Sequence, residues 1–117
     1  DMNFDQQPDF AVMETSATGP NTPYRYFLFN AETGQFEANS ALAAITAPVF
    51  DARARTIVSD WRDGVARNGR DQYVWRDGKP ALIHRIERIN SNEGCVENIH
   101  GEKNGRFQLL QTGACHD

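Results

Sequence analysis

Asp71-Gln72-Tyr73-Val74-Trp75-Arg76-Asp77-Gly78-Lys79-Pro80-Ala81-Leu82-Ile83-His84-Arg85-Ile86 decides the fold class. Two runs rich in aromatic and branched residues flank Asp77-Gly78. That dipeptide suits a type I′ turn, in which both central residues take positive φ. The stretch reads as a β-hairpin. Pro80 has no backbone N–H to give a ladder, so it belongs at an edge or at the start of its strand. Outward from this hairpin the pattern stays β. Residues 56–61 are strand-like, and residues 24–29 are apolar on both faces, as in a central strand. Asn30-Ala31-Glu32-Thr33-Gly34 turns that strand back into residues 35–37, residues 10–15 form an opening strand, and residues 16–23 form a polar turn. Residues 39–45 are Ala-rich and fit one short helix, with Ser40 as its cap and Pro48 beyond its end. About eight strands joined by local turns make an all-β domain. It is an antiparallel meander, β-propeller-like or sandwich, with at most one short helix.

The chain ends in a second hairpin, residues 95–100 and 106–112 around Lys103-Asn104-Gly105-Arg106. Its register brings together the only two cysteines, Cys95 and Cys115. A tight Asn-Gly turn leaves them one position out of alignment, and a single β-bulge sets them opposite each other, within disulfide reach. A disulfide implies an oxidising compartment.

At 117 residues the chain is one domain, 1–117, with room for a single core. The formal net charge of −4 excludes nucleic acid as the main partner, because phosphate binding calls for a basic face. No apolar run approaches the roughly 20 residues of a membrane span.

The first nine residues, Asp1-Met2-Asn3-Phe4-Asp5-Gln6-Gln7-Pro8-Asp9, carry side-chain oxygens at positions 1, 3, 5 and 9, and Gln7 offers a backbone carbonyl. This is calcium-loop spacing, since alternate residues of a tightly wound loop point at one hard cation. Two positions depart from the helical calcium loop: Gln6 replaces the usual Gly, and Val12 stands where a bidentate Glu belongs. The loop is closer to those between the strands of β-propeller proteins. A calcium site and a polar turn without metal both stay open. A chain that begins on its own first ligand reads as the C-terminal part of a longer, exported precursor.

Trp61-Arg62-Asp63-Gly64 recurs as Trp75-Arg76-Asp77-Gly78. The second copy is a turn. The first is followed by Val65-Ala66-Arg67-Asn68-Gly69-Arg70, too long for a tight hairpin. It is expected to be an exposed loop carrying Arg62, Arg67 and Arg70, braced by Trp61 and Tyr73. No G-x-S-x-G nucleophile motif is present, and His84, His100 and His116 are scattered. Glu97 and His100 face opposite sides of a strand. Asp60, Asp63 and Asp71 lie near Trp61, but nothing in the sequence sets them across a groove. An enzyme is not expected.

Tyr26-x-Leu28-Phe29-Asn30-x-x-Thr33-Gly34-x-Phe36, Phe50-Asp51, Thr56-Ile57-x-Ser59-x-Trp61-Arg62-Asp63-Gly64-x-Ala66 and Tyr73-x-Trp75-x-Asp77-Gly78 resemble a family of bacterial envelope proteins. Its members resemble periplasmic lysozyme inhibitors. They include immunity proteins that neutralise a peptidoglycan hydrolase delivered by a type IV secretion system in interbacterial competition. The resemblance covers about residues 1–88. It implies export to the periplasm, often as an outer-membrane lipoprotein anchored upstream, and calcium held by Asp1, Asn3, Asp5, Gln7 and Asp9. It further implies an inhibitory loop between Ser59 and Tyr73 that enters the hydrolase cleft. Ser59, Trp61, Arg62, Asp63, Gly64, Arg67, Arg70 and Tyr73 are then the partner-binding residues, with the arginines directed at catalytic carboxylates. Asp63 stands where related loops often carry Ser. The rival reading is a calcium-dependent carbohydrate-binding or adhesion module that stacks sugars on Trp61 or Trp75.

Overall fold

The computed structural model describes residues 1–13 and 24–115. The polar turn expected at residues 16–23 lies outside them, as do the end of the opening strand and His116. Two antiparallel sheets follow each other along the chain, each a simple meander. The first has the order β1-β2-β3, from Phe10–Met13, Tyr24–Asn30 and Gln35–Ala38. The second has the order β4-β5-β6-β7-β8-β9, from Val49–Asp51, Thr56–Asp63, Arg67–Arg76, Lys79–Ser91, Gly94–Lys103 and Arg106–Ala114. The fold is all-β, and β2 is a central strand as its doubly apolar pattern requires. Between the sheets stands the single-turn helix α1, Ser40–Ala43. It is shorter than expected and its cap is Asn39, not Ser40: Asn39 Oδ1 accepts the Leu42 N–H at 3.0 Å. Asn39 comes first in the extended conformation a cap needs, and one helical turn is enough to bury Leu42 completely.

The turns behave as their residues dictate. Asp77 and Gly78 take φ of 51° and 75°, and Asn104 and Gly105 take 55° and 77°, the paired positive values of type I′ turns. Pro80 pairs with Trp75 at the start of β7. Across the terminal hairpin the register shifts between Ile99 and His100. That bulge aligns Cys95 with Cys115, which form a disulfide with Cα atoms 5.4 Å apart.

The core lies where the inner face of the small sheet meets the first strands of the large one. Tyr26, Leu42, Ile45 and Ile57 are buried together with Phe4 of the N-terminal loop, and Leu28, Phe50, Tyr73 and Trp75 pack around them. Beyond this core the large sheet continues as a single layer among the described residues. β9 is exposed along its whole length, and the chain measures 55 × 40 × 21 Å. Its radius of gyration, 16.3 Å, exceeds the roughly 13 Å of a compact domain of about 100 residues. The outer half of the sheet is therefore held by its ladders, its polar pairs and the disulfide.

That dependence yields a first prediction. The disulfide closes a segment of sequence separation 20 at the end of the thinnest part of the fold, so its removal is expected to cost about 3 kcal/mol. Denaturant unfolding of the oxidised protein against a Cys95→Ser, Cys115→Ser variant measures this. The unreduced, unfolded protein should show no titratable thiol.

Candidate functional site

Trp61 and Tyr73 are not joined by an open loop. β5 and β6 pair continuously from Ile57↔Tyr73 to Asp63↔Arg67, and only Gly64, Val65 and Ala66 form the turn. The expected loop is thus a long hairpin that closes tightly. Gly64 supplies a φ of 74°, and Val65 at the tip is 96% exposed. The hairpin is also backed by β7, which pairs with β6 as far as Arg67↔Ile89, and Asn90 donates its N–H to the Ala66 carbonyl at 2.7 Å. Little in this hairpin alternates apolar with polar residues. Its pairing is carried by cross-strand charge, Asp60 with Arg70 and Asp63 with Arg67, and by Trp61 facing Gly69. A Cβ on Gly69 would stand 2.5 Å from Trp61 Cζ2, so only glycine leaves room for the indole.

Alternation along the strands divides the predicted contact residues between two faces. On one face the carboxylate of Asp71, almost fully buried, is the hub. Arg85 grips it with two bonds of 2.8 Å, Trp61 Nε1 donates to it at 2.9 Å, and the Tyr73 hydroxyl approaches at 3.5 Å. The Arg67 and Arg85 guanidinium carbons lie 4.9 and 5.6 Å from the Trp61 ring centroid. Burial, then the adjacent Asp71 charge, pushes the Tyr73 phenol above its ordinary pKa. Arg67 also bonds Glu87 at 2.6 Å and Asp63 at 3.1 Å. The bond from Arg67, helped by one from Asn98, holds the Glu87 carboxyl below the usual carboxylate range. Ser59 is 2% exposed and donates its hydroxyl to the Thr46 carbonyl, so it braces the base of the hairpin instead of facing a partner. A hollow of about 380 Å³ opens here between Thr46, Ser59, Trp61, Asp71, Tyr73 and Arg85.

Arg62 and Arg70 point to the opposite face. Arg70 is spent on Asp60, through contacts of 2.6 and 3.2 Å. Exposed Arg62 has no hydrogen bond or ion pair among the described residues. It borders a cleft of about 580 Å³ with Asp60, Asn68, Arg70, Ile86 and Arg88. Of the three arginines named from the sequence, Arg62 is the one whose charge the fold leaves available. Arg88 belongs to the same cleft but was invisible in the sequence, because β7 runs five residues past Ile86, the last residue of the expected strand, to Ser91.

Of the five residues the spacing points to, the structure brings the three aspartates of the acidic loop together. Carboxylate oxygens of Asp1, Asp5 and Asp9 lie within 4.8 Å of one another. The loop is wound by its own amides: Asp1 accepts from Asp5 and Gln6 N–H at 3.1 and 2.6 Å, and Asp5 accepts from Gln7 at 2.9 Å. Gln6 adopts φ 67° and Phe4 φ 60°, so the loop does take the left-handed conformation that glycine would adopt without strain. Asn3 Oδ1 is buried with no hydrogen-bond partner among the described residues. A buried amide oxygen left so costs about 1–3 kcal/mol, and a hard cation accepted from Asp1, Asp5 and Asp9 would satisfy it. Three carboxylates and one orphaned amide oxygen are the kinds of donor such an ion takes. The loop is no appendage, since Asp9 caps the Phe29 and Met2 N–H groups at 2.9 and 2.7 Å. Trp75 Nε1 donates to the Met2 carbonyl at 2.9 Å, and Arg55 to that of Phe4 at 3.1 Å.

No protein-family model matches the chain, and no curated protein matches it. Its fold is shared with a solved structure described as a Xanthomonas type IV secretion system related protein, at a TM-score of 0.75 and 20% identity over 95% of this chain. The chain spans 56% of that protein's length. The disulfide fits a protein that matures in an oxidising compartment, and no helix among the described residues is long and apolar enough to cross a membrane.

Two outcomes follow from the hub. Asp71→Ala leaves Arg85 and Trp61 without their acceptor and is expected to cost about 3 kcal/mol, read by denaturant unfolding. Because its pKa is depressed, Glu87 stabilises the fold fully above the unfolded carboxylate value of about 4.3 and loses that contribution as the pH falls through the lower folded value. The acid limb of a melting-temperature profile should therefore flatten in Glu87→Gln.

Proposed function

We propose that the protein inhibits a peptidoglycan-cleaving enzyme in the bacterial envelope, as the immunity partner of a hydrolase delivered by a type IV secretion system. The observation that carries this reading is the continuously paired β5–β6 hairpin, which presents an Arg62 without a partner among the described residues beside the exposed Val65 tip. A muralytic cleft places carboxylates at the bottom of a glycan groove, and a guanidinium pairs with a carboxylate bidentately. The shared fold with a type IV secretion system related protein supports the same setting. The chain acts by binding, not by catalysis. Asp60, Asp63 and Asp71, the carboxylates nearest Trp61, are each committed to an arginine. The carbohydrate-module reading is weaker, because both indoles are engaged within the fold: Trp61 lies between arginines over Gly69, and Trp75 is bonded to the Met2 carbonyl.

Calcium belongs to this reading as a structural ion. Asp1, Asn3, Asp5 and Asp9 would hold it through side-chain oxygens and Gln7 through its carbonyl, locking the loop that carries Phe4 into the core. Calcium is expected to raise the melting temperature by ligand linkage, by about 2.7 kcal/mol of stability at a hundredfold excess over Kd. Asn3→Ala should remove most of that response without destabilising the calcium-free protein, whereas Gln6→Gly should strengthen it. An identical melting temperature in chelator and in millimolar calcium would end the proposal.

The functional reading is tested by turbidity clearing of peptidoglycan. A panel of muralytic enzymes, including hydrolases exported by type IV secretion systems, is assayed with the disulfide-intact protein. Stoichiometric inhibition of at least one is expected. Arg62→Ala should weaken it by about 2 kcal/mol, roughly thirtyfold, with an unchanged melting temperature. Inhibition of none overturns the reading.

A further inference from the structure

The cleft beside Arg62 has a chemistry of its own. The strand register places Arg62, Asn68 and Arg88 in one row across β5, β6 and β7, on the face opposite the Asp71 hub. Arg62 and Arg88 are two strand spacings apart, about 9.6 Å, with the Asn68 amide between them. Side chains as long as arginine converge from that distance. The neighbouring row is Asp60, Arg70 and Ile86, so an apolar side chain floors the cleft next to the cationic row. Asp60 accepts from Arg70, and Glu97 accepts from Arg88 Nε at 2.9 Å. The arginines of this face are thus already matched to carboxylates, except Arg62.

We infer that this cleft is a docking site for an acidic side chain, Glu or Asp, of a protein partner, received by Arg62 and Asn68 with Arg88 behind them. Three features select that occupant. The planar forks of the arginines match a carboxylate. Ile86 offers apolar surface to the methylenes of a glutamate, which an inorganic anion lacks. The net charge of −4 repels a polyanion at long range and leaves a local cationic seat for a single carboxylate. The inference deepens the inhibitor reading and rests on it only for who the partner is.

The probe is the capped peptide acetyl-Gly-Glu-Gly-Glu-Gly-amide, titrated into the isotope-labelled protein while side-chain Arg Nε–H and Asn amide signals are followed by NMR. The Glu peptide should move the Arg62 and Asn68 signals saturably, the Gln counterpart should bind at least tenfold more weakly, and phosphate at equal ionic strength should not compete. Arg62→Gln should lower affinity at least tenfold. Asn68→Ala serves as the second variant, and Arg88 is left intact because it covers Glu97, which is buried. Equal response to the Gln peptide, competition by phosphate, or an unchanged affinity in Arg62→Gln overturns the inference. Peptide binding without inhibition of any hydrolase leaves the cleft standing and removes the inhibitor reading. A hydrolase inhibited equally well by wild type, Arg62→Gln and Asn68→Ala overturns the inference and the part given to Arg62, and leaves only the inhibition itself standing.

Discussion

The carboxylate of Asp71 ties three strands at a point where the fold has run out of apolar core. It sits on β6, receives the Trp61 indole from β5 and is clamped by Arg85 from β7. A buried carboxylate is tolerable only when its lone pairs are met, and here guanidinium, indole and phenol surround it. The same arrangement recurs at Glu87 under Arg67 and at Glu97 under Arg88, each a sheltered acid beneath a more exposed arginine. Such pairs add less net stability than hydrophobic burial, but losing one partner strands a charge in the sheet. They therefore help to hold the register of a sheet against whose outer half no second layer packs among the described residues. Gly69 belongs to the same device, because the indole reaches Asp71 only by crossing the residue that has no side chain.

This explains which parts of the fold were legible in the sequence. Asp77-Gly78, Asn104-Gly105 and Gly34 announce their turns through conformations that few other residues adopt, and the turns are there. The disulfide was readable because the turn fixes the register to within one residue and the bulge supplies that residue. The β5–β6 hairpin was not readable as a hairpin. Its pairing is encoded by charges of opposite sign facing across the strands and by one Trp–Gly contact, and neither leaves a period-two apolar pattern. The extension of β7 to Ser91 was hidden for the same reason, since Glu87, Arg88 and Asn90 look like loop residues until their cross-strand partners are known. Val49–Asp51 escaped notice because three residues are too few to show any period.

The site divides in the same way. The alternating oxygens of residues 1–9 mark a wound loop, and the structure winds it, down to a left-handed Gln6. The anchors of that loop, Phe29 N–H, Trp75 and Arg55, are distant in sequence and carry no local signal. They matter because they make the loop part of the core. Phe4 is buried with Leu42 and Ile57, so whatever orders residues 1–9 also stabilises the junction of the two sheets. An ion held there would act on the fold as a whole, and its linkage to stability would reach residues far from its ligands.

A hairpin instead of a loop changes what the partner-facing residues can do. Arginines on an open loop reorient freely and would all turn toward one target. On paired strands, Arg67 is fixed on the Asp71 face and Arg62 and Arg70 on the other, so no single flat contact engages all three. Past Val58, β5 no longer has β4 beside it, and from Asp60 to Asp63 no described strand pairs with its outer edge. Charged side chains on such an edge discourage strand-to-strand association, which accounts for Asp60 and Asp63. Both are neutralised within the sheet by Arg70 and Arg67, pairs exposed enough to contribute little stability. Arg62 has no such counterpart. Its charge costs nothing in water but is not used by the fold, and the rigid strand that carries it loses little entropy on contact with a partner. A preorganised cation that the fold does not use is the feature on which the proposed recognition rests.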